Sequence, residues 1–330
     1  MVSAKSLNLN PFYWAEIQCS YNIENPSYQA IDNKKEYLYS VHGDSTKISS
    51  YKINKETGKL DYFNQIDIGG NNPVFLTVDK TNKYLVVAAL QGGSVYSIKI
   101  ESDGTLGEIA DKYTFPGKKE NSISYAHQCI WDQNREYLFV PTQARDQGYP
   151  TLNVLKFDSL AGTFKLTDTY YSREYSEPRH VAVHKNNKYI YLINEKGNMM
   201  TFLEFNEEKG KLTALQNLPT LPETYTGNGQ ASAAILSPSN SYLIGSNRIH
   251  ESLVVYRVNQ NTGYIKEVGF ESCLGLTPRF ITFNDVGDKL YVANEDSDTI
   301  IEYLFDDDSG KLVFNGRIIN TESPVCITFI

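Results

Sequence analysis

Short apolar runs alternate with polar turns along almost the whole chain, and the pattern recurs about every 50 residues, a period found in solenoids and propellers. The clearest copies begin at Pro73 (PVFLTVDKTNKYLVVAAL), Pro178 (PRHVAVHKNNKYIYLINE) and Pro278 (PRFITFNDVGDKLYVANE). Weaker copies begin at Pro26, Ala126 and Ala231, and Pro324 opens a cut-off one, PVCITFI. Each unit reads as an apolar run, a polar turn, a Tyr-Leu-Tyr-type strand, a third strand such as SVYSIKI, and a glycine-bearing turn into a fourth. β-Branched and aromatic residues fill these runs, and apolar positions alternate with polar ones in VVYRV, which marks strands rather than helices. Glycine follows the third strand at Gly58, Gly104, Gly162, Gly210, Gly263 and Gly310. A tight hairpin needs positive φ there.

Four strands per unit at this period predict an all-β fold, a seven-bladed β-propeller with four-stranded antiparallel blades. Six units are complete. The seventh is expected to be a composite of both termini, with Pro324–Ile330 supplying one strand and residues 12–23 one or two more. Pairing the termini in this way removes sheet edges that would otherwise invite aggregation. No linker or composition shift interrupts the repeat, so residues 1–330 are expected to form a single domain.

The formal net charge of −8 argues against a nucleic-acid partner, which demands a basic face, but leaves room for a small anionic ligand in a local cationic pocket. Cys19, Cys129, Cys273 and Cys326 fall in apolar strand contexts and are expected to be small buried hydrophobes. Cys19 and Cys326 would share the closing blade, but no spacing indicates a disulfide. The first residues lack an apolar signal region and nowhere do eighteen apolar residues run together, so a cytoplasmic location and no membrane partner are expected. Oligomeric state leaves no mark in the sequence.

Neighbouring strands of a blade are antiparallel, so the start of the first and the end of the second meet at one edge. The residue after each opening Pro or Ala forms one column: Ser27, Val74, His127, Arg179, Ser232, Arg279 and Val325. Sixteen residues further on, in every complete unit, stand Gly43, Leu90, Gln143, Glu195, Arg248 and Glu295. Units one, two and seven contribute small or apolar groups; units three to six contribute polar and charged ones. Variable loops, among them Arg145–Pro150, emerge at the same rim, where selection of a ligand usually sits. Each residue also has a plainer explanation. Arg179 with Glu195, or Arg279 with Glu295, could be ordinary ion pairs, and His127 a satisfied structural histidine. Convergence of all of them on one rim is what favours a site. His42, one position before the second column, is expected to reach the channel from the first unit, and His184, near the far turn, to be structural. Zinc-type ligand spacing is absent, as is a Gly-x-Ser-x-Gly elbow, so neither a metal nor a serine nucleophile is expected.

The segments AHQCIWD, EPRHVAVH with LINE, SAAILSPSNSYLIGSNR and TPRFITF resemble the lactonase family of seven-bladed propellers, which includes 6-phosphogluconolactonases and 3-carboxy-cis,cis-muconate cyclases. The likeness runs from about Pro26 to SPVCITF near the end. It implies that His127, Arg179, Glu195 and Arg248 are catalytic, and the same four stand in the two columns. Gln143, Ser232, Arg279, Glu295 and His42 are expected to bind substrate. Two departures stand out: Ala-Ser-Ala-Ala where many lactonases have an Asp-x-His-type opening of the fifth unit, and an N-terminus shorter than the family's. Glu195 or His127 would act as general base, the arginines would hold phosphate or carboxylate, and no cofactor is needed. Hydrolysis of a sugar-acid lactone such as 6-phosphogluconolactone is the leading expectation. Carboxymuconate cyclisation is the alternative, and a non-catalytic binding propeller, suggested by YVANEDSDTI, is the third.

Overall fold

The computed structural model describes residues 2–7, 14–21 and 23–330. Among them are six four-stranded antiparallel blades, each running in chain order from an inner to an outer strand. The inner strands are Pro26–Ile31, Pro73–Val78, the interrupted pair Tyr125–Ala126 and Ile130–Trp131, Pro178–Val183, Gln230–Leu236 and Pro278–Phe283. Each of the six complete units read from the sequence thus becomes one blade. The six hairpin glycines adopt φ between 61° and 86°, as the turns required. At Gly162 a Cβ would also meet the Tyr84 ring of the preceding blade at 2.3 Å. That ring's hydroxyl donates to Leu160 O, so the glycine turn doubles as an inter-blade seat.

The core lies between successive blades rather than inside one. Tyr39, Val41 and Ile48 of the first blade pack on Leu85, Val87 and Tyr96 of the second, and similar sandwiches follow around the ring. Each large apolar side chain buried this way contributes about 1.5–3 kcal/mol. Side-chain amides lace the outer edges together: Asn64 of the first blade bonds the backbone of Leu106 in the second at both N–H and C=O, and Gln216 does the same to Ile265.

The closing region differs in part from expectation. Val2–Leu7 and Trp14–Ser20 form a two-stranded antiparallel sheet, whereas Phe12, Tyr13 and Asn22 of the expected strand region lie outside the described residues. Gln18 brackets the backbone of Leu60 just as Asn64 brackets Leu106, which sets its strand beside the outer edge of the first blade. Pro324–Ile330 forms no strand. It lies between the sixth and first blades, with Ile327 and Phe329 packed near Tyr291, Ala293 and Trp14, and the Cys326 thiol beside the backbone of Gln29. Across the channel wall Tyr28 and Phe280 meet edge to face, with ring centres 5.9 Å apart. All four cysteines are free, and Cys129 and Cys273 are fully buried as expected. No helix among the described residues is long and apolar enough to cross a membrane.

Candidate functional site

Both columns meet at one rim, and a shared backbone irregularity aims the first of them. In the first, second, fourth and sixth blades the pairing slips by one residue just after the opening proline, so Ser27, Val74, Arg179 and Arg279 each sit in a β-bulge. Ser232 sits in the corresponding slip of the fifth blade, and His127 in the break that divides the third blade's inner strand. A bulge re-aims side chains and ends strict alternation. That is how consecutive residues, Arg179 and His180, both face the channel end.

Glu195 is the hub. Its Oε1 lies 3.1 Å from Arg248 Nη2, and its Oε2 lies 3.3 Å from Arg179 Nε and accepts from Gln143 Nε2 at 3.0 Å. Three blades therefore meet on one carboxylate. The Arg179 Nε contact is a charge contact rather than an aligned hydrogen bond. Arg179 is 3 % exposed, and its Nη1 donates to Ser232 O at 2.8 Å and to His180 Nε2 at 3.3 Å. The His180 and His127 rings stand edge to face, 5.4 Å between centres, and His127 Nδ1 is buried without a partner. His180 also lines a channel cavity of about 410 Å³ walled by Tyr28, Phe75, Val181 and Phe280.

Charges set the chemistry of this cluster. Burial raises the Glu195 carboxyl, but Arg179, Arg248 and Gln143 outweigh it and hold the group below its usual range, so it stays ionised. Burial first, and the Arg179 guanidinium next, hold both His127 and His180 well below the usual imidazole value, and both are neutral near pH 7. Burial and Arg248 press on the charge of Arg179, which Glu195 counters; a guanidinium stays protonated here. Two cations against one anion leave a single positive charge beside two neutral imidazoles. Such a cluster suits an anionic ligand with a carbonyl or a transferable proton.

Arg279 and Glu295 form their own pair, 3.1 Å apart, at side-chain exposures of 32 % and 23 %. Their position on this rim follows from the columns, and Arg279 is close enough to depress both imidazoles. Two expected binding residues are not available to a ligand. The fully buried Ser232 hydroxyl donates to Arg279 O, as Ser27 does to Pro73 O in the same column, so both are inter-blade latches. His42, 1 % exposed, uses Nδ1 on Glu24 O and Nε2 on Ser49 Oγ. Asn194 occupies the same place in the fourth blade and binds Thr201 in the same way, so the position is a hairpin bracket. His184 sits at the far turn, capping Asn186 N–H, as expected of a structural residue.

Sequence reading passed over His180 and Glu177. Glu177 has φ of 54°, is buried, and accepts the Arg145 N–H at 2.9 Å, which ties the 145–150 loop beside the cluster. Burial raises its carboxyl above the usual range. A charged residue directly before the Pro-Arg-His run was the available signal. Above that loop the Arg145 guanidinium lies over the Tyr125 ring, 4.8 Å from its centre. Among the described residues no group of three or more His, Cys, Asp or Glu side chains could hold a metal ion.

Comparison with known proteins places the chain in a family and matches its fold. Residues 14–329 match the model of a family described as lactonase, 7-bladed beta-propeller. A 6-phosphogluconolactonase of Bacillus subtilis is 25% identical over 328 residues, covering 96% of this chain and 90% of its own. Another, of Formosa agariphila, is 29% identical over 308 residues, covering 88% and 84%. Among solved structures, the periplasmic gluconolactonase of Pseudomonas aeruginosa superposes with a TM-score of 0.83 at 22% identity, covering 96% of this chain and 89% of that one. A Lactobacillus plantarum protein reaches 0.87 at 23% identity, with 98% and 93% covered.

Proposed function

The chain belongs to the lactonase family of seven-bladed β-propellers, and we propose that it hydrolyses an anionic sugar-acid lactone of the 6-phosphogluconolactone type. The observation that carries this reading is the buried Arg179–Glu195–Arg248 cluster with the unpartnered Nδ1 of His127 nearby. Relatives at 25% and 29% identity bear the 6-phosphogluconolactonase name, which supports the choice of substrate.

Hydrolysis adds water to the lactone carbonyl, breaks the ring C–O bond and ends in a hydroxy acid carboxylate and one proton. Glu195 is too strongly engaged by two arginines to serve as base. His127 is neutral, so it takes the proton from the attacking water and returns it to the departing ring oxygen. Arg179 and Arg248 hold the substrate anion and the oxygen that becomes negative in the tetrahedral intermediate. Glu195 and Gln143 keep the guanidiniums oriented. Burial is the larger cause of the depression of His127 and the nearby guanidiniums the next; the arriving anion offsets the guanidinium part, which moves the imidazole toward a useful basicity when substrate is bound. A phosphorylated substrate does not cross membranes unaided, which supports the cytoplasmic expectation.

In this reading the ring is closed by a seventh blade built from both termini. The Trp14–Ser20 strand supplies its outer part through Gln18, and the 324–330 segment fills its inner part. Purified protein assayed in parallel on 6-phosphogluconolactone, unphosphorylated gluconolactone and 3-carboxy-cis,cis-muconate tests the function. Hydrolysis of the phosphorylated lactone above its spontaneous rate is expected. Turnover of the muconate alone, or of none of the three, would sink the proposal.

A further inference from the structure

We propose that His180 is a positioning residue for the reaction: its Nε2 receives an Arg179 N–H and fixes the guanidinium edge that faces the substrate anion. The inference rests on the lactonase reading for the nature of that substrate. Its structural half stands alone.

Arg179 is nearly fully buried, and a buried guanidinium must have its donors satisfied. The two hydrogens of Nη1 have two acceptors, Ser232 O and His180 Nε2. Nε is buried and makes only the charge contact with Glu195, and Nη2 is the group assigned to the ligand. Arginine donates only, so Nε2 of His180 must accept, and the single proton of the neutral ring sits on Nδ1. Protonation of His180 would remove the acceptor and set a second cation against Arg179. Arg179, Arg279, Arg248 and His127 all surround the ring, and burial with Arg179 disfavours that state.

The ring itself is held. It meets His127 on one side and Phe75 on another, both edge to face. Just beyond it, Val181 N–H donates to the buried Gln128 Oε1 at 2.6 Å, which pins the strand to the third blade. The residues one step past the first column are Tyr28, Phe75, Gln128, His180, Ala233 and Phe280. This level of the channel is thus met elsewhere by tyrosine, phenylalanine, glutamine or alanine, and phenylalanine and glutamine are the two that match the imidazole in bulk or in polarity. Only the fourth blade combines a column arginine with an imidazole beside it.

The repeat supplies its own test variants, His180→Phe, which keeps the shape without an acceptor, and His180→Gln, which keeps an acceptor. We expect His180→Phe to raise KM for 6-phosphogluconolactone about tenfold or more with a smaller change in kcat, because the clamp is formed before the transition state. His180→Gln should return KM to within about threefold of the parent, and both variants should melt within a few degrees of it. Long-range proton–nitrogen spectra of the parent should show His180 in the Nδ1–H form. An unchanged KM in His180→Phe, an equal loss in His180→Gln, or an Nε2–H ring would each overturn the proposal. Should the parent hydrolyse no lactone, the function falls but this test does not. Inorganic phosphate titrated against the three proteins should then bind the parent and His180→Gln alike and His180→Phe more weakly, and equal binding by all three would overturn it.

Discussion

The fourth and sixth blades carry the same pair in the same two columns, Arg179 with Glu195 and Arg279 with Glu295, and local spacing cannot tell them apart. In the fourth blade the pair is buried, with side-chain exposures of 3 % and 16 %; in the sixth they are 32 % and 23 %. The difference comes from the neighbours. Glu195 receives Arg248 from the fifth blade and Gln143 from the third. Among the described residues Glu295 forms its ion pair with Arg279 alone. One pair is therefore the centre of a three-blade network and the other remains close to an ordinary surface ion pair. A site in a repeat fold is made by what adjacent repeats place beside a motif, more than by the motif.

Breaking the hub should separate the two blades most sharply in activity. Glu195→Gln should lower kcat/KM by about 10²-fold or more, since two charge-assisted contacts lose their anion, while Glu295→Gln should stay within about threefold. His127→Ala should lower kcat by about 10²–10⁴-fold, the range for a general base. Equal losses at Glu195 and Glu295 would mean a generally charged rim rather than a site.

Stability should show the same contrast on a smaller scale. Arg179→Ala leaves Glu195 partly uncompensated in a buried setting and should cost about 3–5 kcal/mol. Arg279→Ala, at a more open pair, should cost about 1 kcal/mol or less. Urea unfolding of both variants measures the difference, and similar midpoints would refute the comparison.

The pH profile sharpens the picture further. His127 is held below the usual imidazole value in the free protein, so the acid limb of kcat/KM should lie below that value. Bound anion offsets the guanidinium part of that depression, so the acid limb of kcat should lie at higher pH. The sign for stability is the same on the acid side: a histidine kept neutral when folded takes up a proton on unfolding, so stability falls as pH drops through the ordinary imidazole range. An acid limb of kcat at or below that of kcat/KM would remove His127 from the proposed role.

Much of this was legible beforehand, and the exceptions share a cause. The six glycine turns, the blade count outside the termini and the two columns follow from periodicity, because each repeat solves the same local problem of strand pairing and turn geometry. Ser232 and His42 were misjudged because column membership says where a residue starts, not which partner claims its polar atoms. His180 was missed because a bulge breaks the alternation on which strand faces are assigned. The 324–330 segment carries a strand-like sequence, yet it packs by side chains without ladder pairing.

Sequence alone determined the strand period, the turn chemistry and which residues stand at one rim, since these depend on contacts within a repeat. Tertiary structure decided which of the two Arg–Glu pairs becomes a site, because burial and the second arginine arrive from blades about 50 residues away along the chain. It also decided the protonation states that matter. Desolvation and the field of several guanidiniums, which no local window of residues contains, make His127 and His180 neutral and keep Glu195 charged.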